Sequence, residues 1–468
     1  MNTITKFRHR LTIATVMLLA MLSVSENAKA QADRSLYFLP IVPHLRNANP
    51  AHIPDYRFYV GIPLLSSVKT GFENTFVYND IVQQRNDSLY LDRDYLIGNL
   101  KDKNTANLNL MEEYLSLGFG FGDHFVHFRV ADIARANATI TKDLIRFMLY
   151  GNGSDMYLGQ TADFGGNAVN LSYYREYAAG YSQRIDEKFN AGINLKYLQG
   201  IANFYTENLA VALHTDSIDF TLTLQSDIRM NMSSPGLGDE EVSTGDFLPN
   251  SKNSGFAFDV GVQYRPSDKI AVSANLLDIG SIMWNSNVKN YRSVDPAKTF
   301  TYQGIDFDEF IENDALNSDR VNEILDSIAE EIGIDEHAES YRTRLPVTLN
   351  LHGSYLFTEN DQLGLLVRSQ FLEEQNWWTS TLGYTRKFGS NVNLMISNSF
   401  FRDSYFNPGI GFAANIGPVQ LYLINENFHA PFTLTSARTM TVRFGINLVF
   451  KHRDHTAQQP APAHQVTK

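Results

Sequence analysis

Phe256-Ala-Phe-Asp-Val-Gly-Val-Gln-Tyr264-Arg265 decides the fold. Read with a period of two, Phe256, Phe258, Val260, Val262 and Tyr264 share one face, while Ala257, Asp259, Gly261, Gln263 and Arg265 share the other. A helix would scatter both sets around its axis; a strand separates them. The same alternation recurs on both sides of this stretch. Upstream, Phe189, Ala191, Ile193, Leu195 and Tyr197 oppose Lys188, Asn190, Gly192, Asn194 and Lys196. Ile218, Phe220, Leu222, Leu224, Ile228 and Met230 likewise oppose Asp219, Thr221, Thr223, Gln225, Asp227 and Arg229. Downstream, Leu345, Val347, Leu349, Leu351, Tyr355 and Phe357 face away from Arg344, Thr348, Asn350, His352 and Ser354.

These runs exceed the roughly five or six residues of ordinary strands and match the ~9–11 of a tilted bilayer crossing. Their second face repeatedly carries Lys, Arg, Asp and Gln, which suits a lumen holding water or a polar plug. In lipid an open sheet edge would leave N–H and C=O groups unpaired, so the sheet has to close. The predicted fold is all-β: a single transmembrane antiparallel β-barrel spanning residues 56–450. Composition agrees. Among 468 residues, 31 Phe and 23 Tyr are too many for a disordered chain, and the absence of Cys excludes disulfides and thiolate metal sites. No stretch past residue 24 approaches the ~20 apolar residues of a spanning helix.

Residues 1–30 read as a secretory signal. Lys6, Arg8 and Arg10 precede the apolar Leu11 to Val24, and Ala28-Lys29-Ala30 suits cleavage before Gln31. The formal net charge is −12, and the signal removes four basic residues but one acidic, so the mature chain is more acidic still. That balance argues against nucleic acid, whose phosphates require clustered Lys and Arg. Export of a cysteine-free, aromatic-rich chain points to a bacterial envelope, and the barrel makes the expected location the outer membrane of a Gram-negative cell.

Short turns at 186–188, 265–269, 358–361, 388–391 and 416–419 alternate with long connections at 79–111, 134–166, 232–254, 281–341 and 427–437. Setting the short turns in the periplasm puts every long loop outside, the asymmetry of outer-membrane barrels. The count is about 16 crossings, with 14 to 18 allowed by weak segments near 57–77 and 202–231. The last strand, Thr441 to Phe450, turns Val442, Phe444, Ile446, Leu448 and Phe450 outward; 451–468 reads as a disordered periplasmic tail.

Helical spacing occurs only in the long loops. Val321, Ile324, Leu325, Ile328 and Ile332 form one stripe of a helix over 319–332, inside an acidic stretch where 303–340 holds thirteen Asp or Glu. A calcium site or a cation-attracting vestibule competes there with a plain solvated face, and no twelve-residue calcium loop is present. A second helix is expected over Thr141 to Tyr150, lying on the mouth or dipping into the lumen.

Catalytic signals are absent. Gly118, Gly120 and Gly122 alternate with Phe119 and Phe121 within a strand rather than opening a helix toward phosphate. Ser66 and Lys69 form Ser-x-x-Lys without the partner motifs of an acyl-enzyme. His452, His455 and His464 are too loosely spaced for a metal site, and Trp377, Trp378 and Tyr384 suit an interfacial girdle. The expectation is no enzyme, no cofactor and no metal.

Two stretches carry a resemblance. Asn47-Ala-Asn49-Pro50-Ala51 leads into Phe58-Tyr-Val-Gly-Ile-Pro-Leu-Leu-Ser66; later come Tyr174-Arg-Glu-Tyr-Ala-Ala-Gly-Tyr-Ser182 and Lys196-Tyr-Leu-Gln-Gly-Ile-Ala-Asn203. Together they resemble an uncharacterised, domain-of-unknown-function family of Gram-negative outer-membrane barrels. The Asn-Pro-Ala element is similar to one in the long-chain fatty-acid transporter (FadL-like) superfamily. That resemblance implies an N-terminal hatch inside the lumen, here 31–55 with Asn49, Pro50 and Ala51, and passage of small hydrophobic compounds. A branch of the superfamily instead serves type IX secretion, which implies a secretion or surface-protein partner. Physics independently favours a hatch. A barrel of fourteen or more strands leaves a lumen its own side chains cannot fill, and 31–55 combines Leu36, Phe38, Leu39, Ile41, Val42 and Leu45 with four prolines and no strand-length alternation. The expected function is a gated channel or transporter for a small hydrophobic solute, in contact with outer-membrane lipid. The alternative is a non-transporting scaffold or shuttle partner.

Overall fold

The computed structural model describes residues 34–85, 88–235, 252–296, 298–302, 333–371, 376–401, 404–433 and 435–452. The signal over 1–30, the helix expected over 319–332 and the tail beyond His452 lie outside these residues.

Fourteen antiparallel strands close into one barrel. The first, β1, comes in two pieces, Tyr56–Gly61 and Val68–Asn74, both paired with the same two neighbours. There follow β2 (Lys103–Phe121), β3 (His124–Thr141), β4 (Ala168–Arg184), β5 (Phe189–Thr215), β6 (Ser254–Ser267) and β7 (Ile270–Trp284). Next, β8 joins Tyr341–Arg344 to Val347–Leu356. The remainder are β9 (Asp361–Phe371), β10 (Asn376–Phe388), β11 (Val392–Phe400), β12 (Pro408–Ile416), β13 (Val419–Glu426) and β14 (Thr439–His452). On β14, Leu448 lies opposite Val419 of β13 and Phe450 opposite Phe58 of β1, which seals the cylinder.

The period-two reading of β6 holds residue by residue. Phe256, Phe258, Val260, Val262 and Tyr264 are exposed on the outside, whereas Ala257, Asp259 and Gln263 are buried within. Leu195, Val272, Leu363, Leu394, Ile396, Phe412 and Phe444 extend the exposed apolar surface around the cylinder. Each such side chain gains about 1.5–3 kcal/mol on leaving water, so a belt of them is a surface built for lipid. Among the described residues, no helix is long and apolar enough to cross a membrane.

Fourteen corrects the expected count of about sixteen. Leu222–Ser233 alternates as predicted, yet it pairs with the far half of β5 and with Val288–Ser293 and Thr299–Tyr302. The near half of β5 pairs with β6. Alternation reports a sheet with two unlike faces; it does not report what wets them, so a sheet extension beyond the barrel reads like another crossing. The weak stretch 57–77 is one strand broken at 62–67, where Pro63 cannot donate to a ladder and Leu64 takes φ +65°. The expected loops 79–111 and 134–166 are shorter than read, because β2 begins at Lys103 and β3 runs to Thr141.

Turns at 122–123, 185–188, 268–269, 357–360, 389–391 and 417–418 share one end of the barrel, here the short-turn end. Longer connections, including 75–102, 142–167, 216–253 and 285–340, share the other. There the expected helix forms over Lys142–Tyr150, capped by the Thr141 hydroxyl and ended at Gly151 with φ +73°. It packs Phe147 edge-on against Tyr157 and Phe164 and leaves Met148 exposed, which places it on the mouth and not in the lumen. The expected girdle divides: Tyr384 stacks on Phe357 toward the short turns, while Trp378 pairs with Ser369 nearer the other end.

Candidate functional site: the lumen

Residues 34–55 run through the inside of the barrel. Pro40, Pro43, Pro50 and Pro54 bar a strand and a long helix alike, so the segment folds as a short 3-10 turn (Ser35–Phe38), a single helical turn (Leu45–Ala48) and bends. Its apolar side chains Leu36, Tyr37, Phe38, Leu39, Val42 and Leu45 pack with Leu366, Met395, Ala413, Tyr422 and Ile424 of β9, β11, β12 and β13. Two wall glycines make this fit possible. A Cβ on Gly383 would stand 2.5 Å from the Phe38 ring, and one on Gly411 would stand 2.9 Å from Leu39. Polar groups fix the register. Arg34 ion-pairs with Glu426 at 2.9 Å, the Ser35 N–H donates to the same carboxylate at 2.8 Å, and Gln420 donates to the Ile41 carbonyl at 2.9 Å.

The second half of the segment meets the opposite wall. Arg46 lies 4.1 Å over the Phe125 ring and donates to Ser182, whose own hydroxyl donates to the Pro50 carbonyl at 2.6 Å. Asn49, Pro50 and Ala51, singled out from the sequence, sit together here. Asn49 Oδ1 accepts from the Ala51 N–H at 3.2 Å, and the bend rests on Gly192 and Gly261. A Cβ at Gly192 would fall 2.0 Å from the Pro50 oxygen.

Glu113 joins the segment to the barrel's charged interior. It stands at the edge of a bulge in β2, where the register shifts between Glu113 and Leu115, and it is fully buried. One carboxylate oxygen accepts from Ser66 at 3.0 Å and lies 3.0 Å from His44 Nδ1. The other accepts from Asn47 at 3.2 Å and lies 3.6 Å from an Arg129 nitrogen. Arg129 also bonds Glu176. Beyond it, Lys196 reaches Asp259 at 2.7 Å and Asp278 at 2.6 Å, and Arg135 approaches Asp278 at 3.5 Å. A second irregularity aims this pair: Asp278 takes φ +61°, and its N–H donates to Asp259 at 2.7 Å.

The segment separates two spaces. On the long-loop side, a chamber of about 80 Å³ has Asn47 and Ala48 in its lining together with Arg129 and Lys196. On the short-turn side, a vestibule of about 830 Å³ is lined by Tyr37, Pro40, Leu45 and His52 and by turn residues such as Lys188 and Gly417. Sequence reasoning put Lys196 and Asp259 on the inward face without assigning them a role, and missed Glu113, Arg129 and Asp278. Glu113 and Arg129 alternate inward on recognisable strands, which was a usable signal; Asp278 falls out of alternation and is turned by its backbone, and strand neighbours far apart in sequence decide which of these groups meet. Ser66, half of the Ser-x-x-Lys spacing, donates its hydroxyl to Glu113. Among the described residues, no group of three or more His, Asp or Glu is arranged to hold a metal ion.

A profile of a family of unknown function, DUF5723, matches residues 50–425. The chain belongs to DUF5723. No curated protein matches it. Among solved structures, this DUF5723 chain is similar to a Pseudomonas aeruginosa FadL homologue, at 10% identity and a TM-score of 0.43, over 90% of this chain and 96% of that one. It is also similar to the P. putida toluene transporter TodX, at 9% identity and a TM-score of 0.41, over 87% and 94%. The monoaromatic hydrocarbon channel CymD gives 9% identity and a TM-score of 0.38, over 89% and 94%.

Proposed function

We propose that this protein is a gated channel of the outer membrane, with its short turns in the periplasm and residues 31–55 as the hatch. The observation that carries the reading is the separation of chamber from vestibule by one proline-rich segment, seated on wall glycines and buried ion pairs. Among the described residues this segment pairs with no strand and lies between the two spaces, which supports a gate. The solute implied by resemblance is small and hydrophobic. The chamber's lining favours a polar one, because charged side chains dominate it and a hydrocarbon there would leave them unsolvated.

The test deletes residues 31–55 and measures conductance in planar bilayers, with heat-modifiable gel mobility to verify a closed barrel. The reading expects long-lived openings at least tenfold more frequent than in the full chain. Unchanged conductance through a folded barrel would refute the gate and favour the non-transporting scaffold.

A further inference from the structure

We propose that the vestibule at the short-turn end binds a neutral, hydroxyl-rich solute of mono- or disaccharide size. This rests on the gated-lumen reading and names its class of solute. Gln263 on β6, Ser273 on β7 and His352 on β8 stand in register across three neighbouring strands, and all three line the vestibule. Each carries a buried polar atom with no hydrogen-bond partner among the described residues: Gln263 Oε1, Ser273 Oγ and His352 Nε2. One step deeper in the barrel the pattern changes. Asn275 donates to the Tyr37 hydroxyl at 2.9 Å and Asn350 donates to Asn275 at 2.9 Å, so there the wall bonds to the segment and to itself.

A buried polar atom left unbonded is costly and uncommon, and three in one row on one cavity form a hydrogen-bonding edge for whatever enters it. Strands lie about 4.8 Å apart, so the row spans about 10 Å. An amide, a hydroxyl and an imidazole offer donors and acceptors alike, which suits hydroxyl groups. Beside the row the segment supplies an apolar surface with Tyr37, Ile41 and Leu45, and the Tyr37 ring lies 5.3 Å from the His352 ring. A sugar ring is divided in the same way, with hydroxyls at its rim and C–H groups on its faces. Charge argues for a neutral solute. The charged lining residues Lys188, Asp268 and Lys269 sit on the short turns at the mouth, and an ionised group seated on the row would meet no counter-charge there. The volume of about 830 Å³ lies within the ~300–1,000 Å³ of small-molecule sites. Asn49 and His52 line the same space, so a bound solute would touch the segment that closes the lumen.

The test is calorimetric titration of the full chain, in a detergent without a sugar headgroup, with maltose, cellobiose and lactose, and with toluene as the apolar control. Saturable binding of at least one disaccharide is expected, weakened at least tenfold in both Ser273→Ala and Gln263→Leu. Each variant should keep or raise its melting temperature, because it deletes a polar atom that nothing in the wall bonds; a row that served only the fold would lose stability and leave affinity alone. Gel mobility checks that each variant keeps its barrel; if Gln263→Leu does not, Ser273→Ala alone decides. No saturation by any of the sugars, saturation by toluene alone, or affinity unchanged in the folded variants overturns the site. Titration needs no open channel, so that result leaves the conductance test of the gate standing, and a failed gate leaves the titration standing.

Discussion

The two walls of the lumen hold the same segment by opposite physics. The wall built from β9 to β13 receives Phe38 and Leu39 in an apolar seat cut to shape by glycines. The wall built from β2 to β6 receives His44, Arg46 and Asn47 through carboxylates, hydroxyls and a cation over an aromatic ring. Apolar contact falls off with area and tolerates sliding; buried ion pairs do not. The first wall therefore supplies affinity for the segment, and the second supplies its register and its sensitivity to charge.

Four experiments would break or sharpen that contrast. The largest effect is expected from Gly383→Val, which drives a side chain into the Phe38 ring. It should raise open probability at least tenfold, and the double variant Gly383→Val with Phe38→Ala should return much of the closure. Similar leak in the single and double variants would mean that the glycine does not act through Phe38. Next, Phe38→Ala alone removes a buried aromatic, a change that costs about 3–5 kcal/mol in cores. The chain has no cysteine, so Ala48→Cys reports seating cleanly, and thiol labelling of that cysteine should quicken by an order of magnitude or more. Glu113→Gln tests the other wall. Removing one member of a buried ionic cluster typically costs about 3–5 kcal/mol, shared here between barrel and segment, so a several-fold rise in labelling is expected together with a lower melting temperature. The smallest effect belongs to Glu336→Gln. Its pair with Lys289 at 3.0 Å is half-exposed on the sheet extension, where such pairs contribute about 0–1 kcal/mol. Thermal stability and labelling should both stay within error.

Strands and the apolar half of the segment were legible in the sequence. Phe256 to Arg265 gives a strand and its facing at once, because lipid outside and a filled lumen inside impose a strict period of two. Leu36 to Leu45 announces a buried segment through apolar residues that no strand or helix can use. The charged contacts were hidden. Glu113 meets His44, a residue 69 positions away, just ahead of a bulge in β2, and Asp278 meets Lys196 at a residue with a left-handed backbone. Neither irregularity has a Gly or Pro to mark it. Strand number failed for a related reason: β5 runs 27 residues and carries two different partners along one edge, information that resides in pairing rather than in pattern.

The order of the chain along the lumen has a consequence for biogenesis. Arg34 bonds to Glu426, 392 residues later, and Phe38 docks on strands made near the end of synthesis. The segment is thus made before every strand of the barrel, and the wall that receives Phe38 is among the last parts made. Nothing can seat it until β9 to β13 exist, yet once β14 zips to β1 the cylinder is sealed around whatever it contains. Assembly must therefore bring one end of the polypeptide to the other before the final seam closes, a long-range search of the kind that makes folding slow.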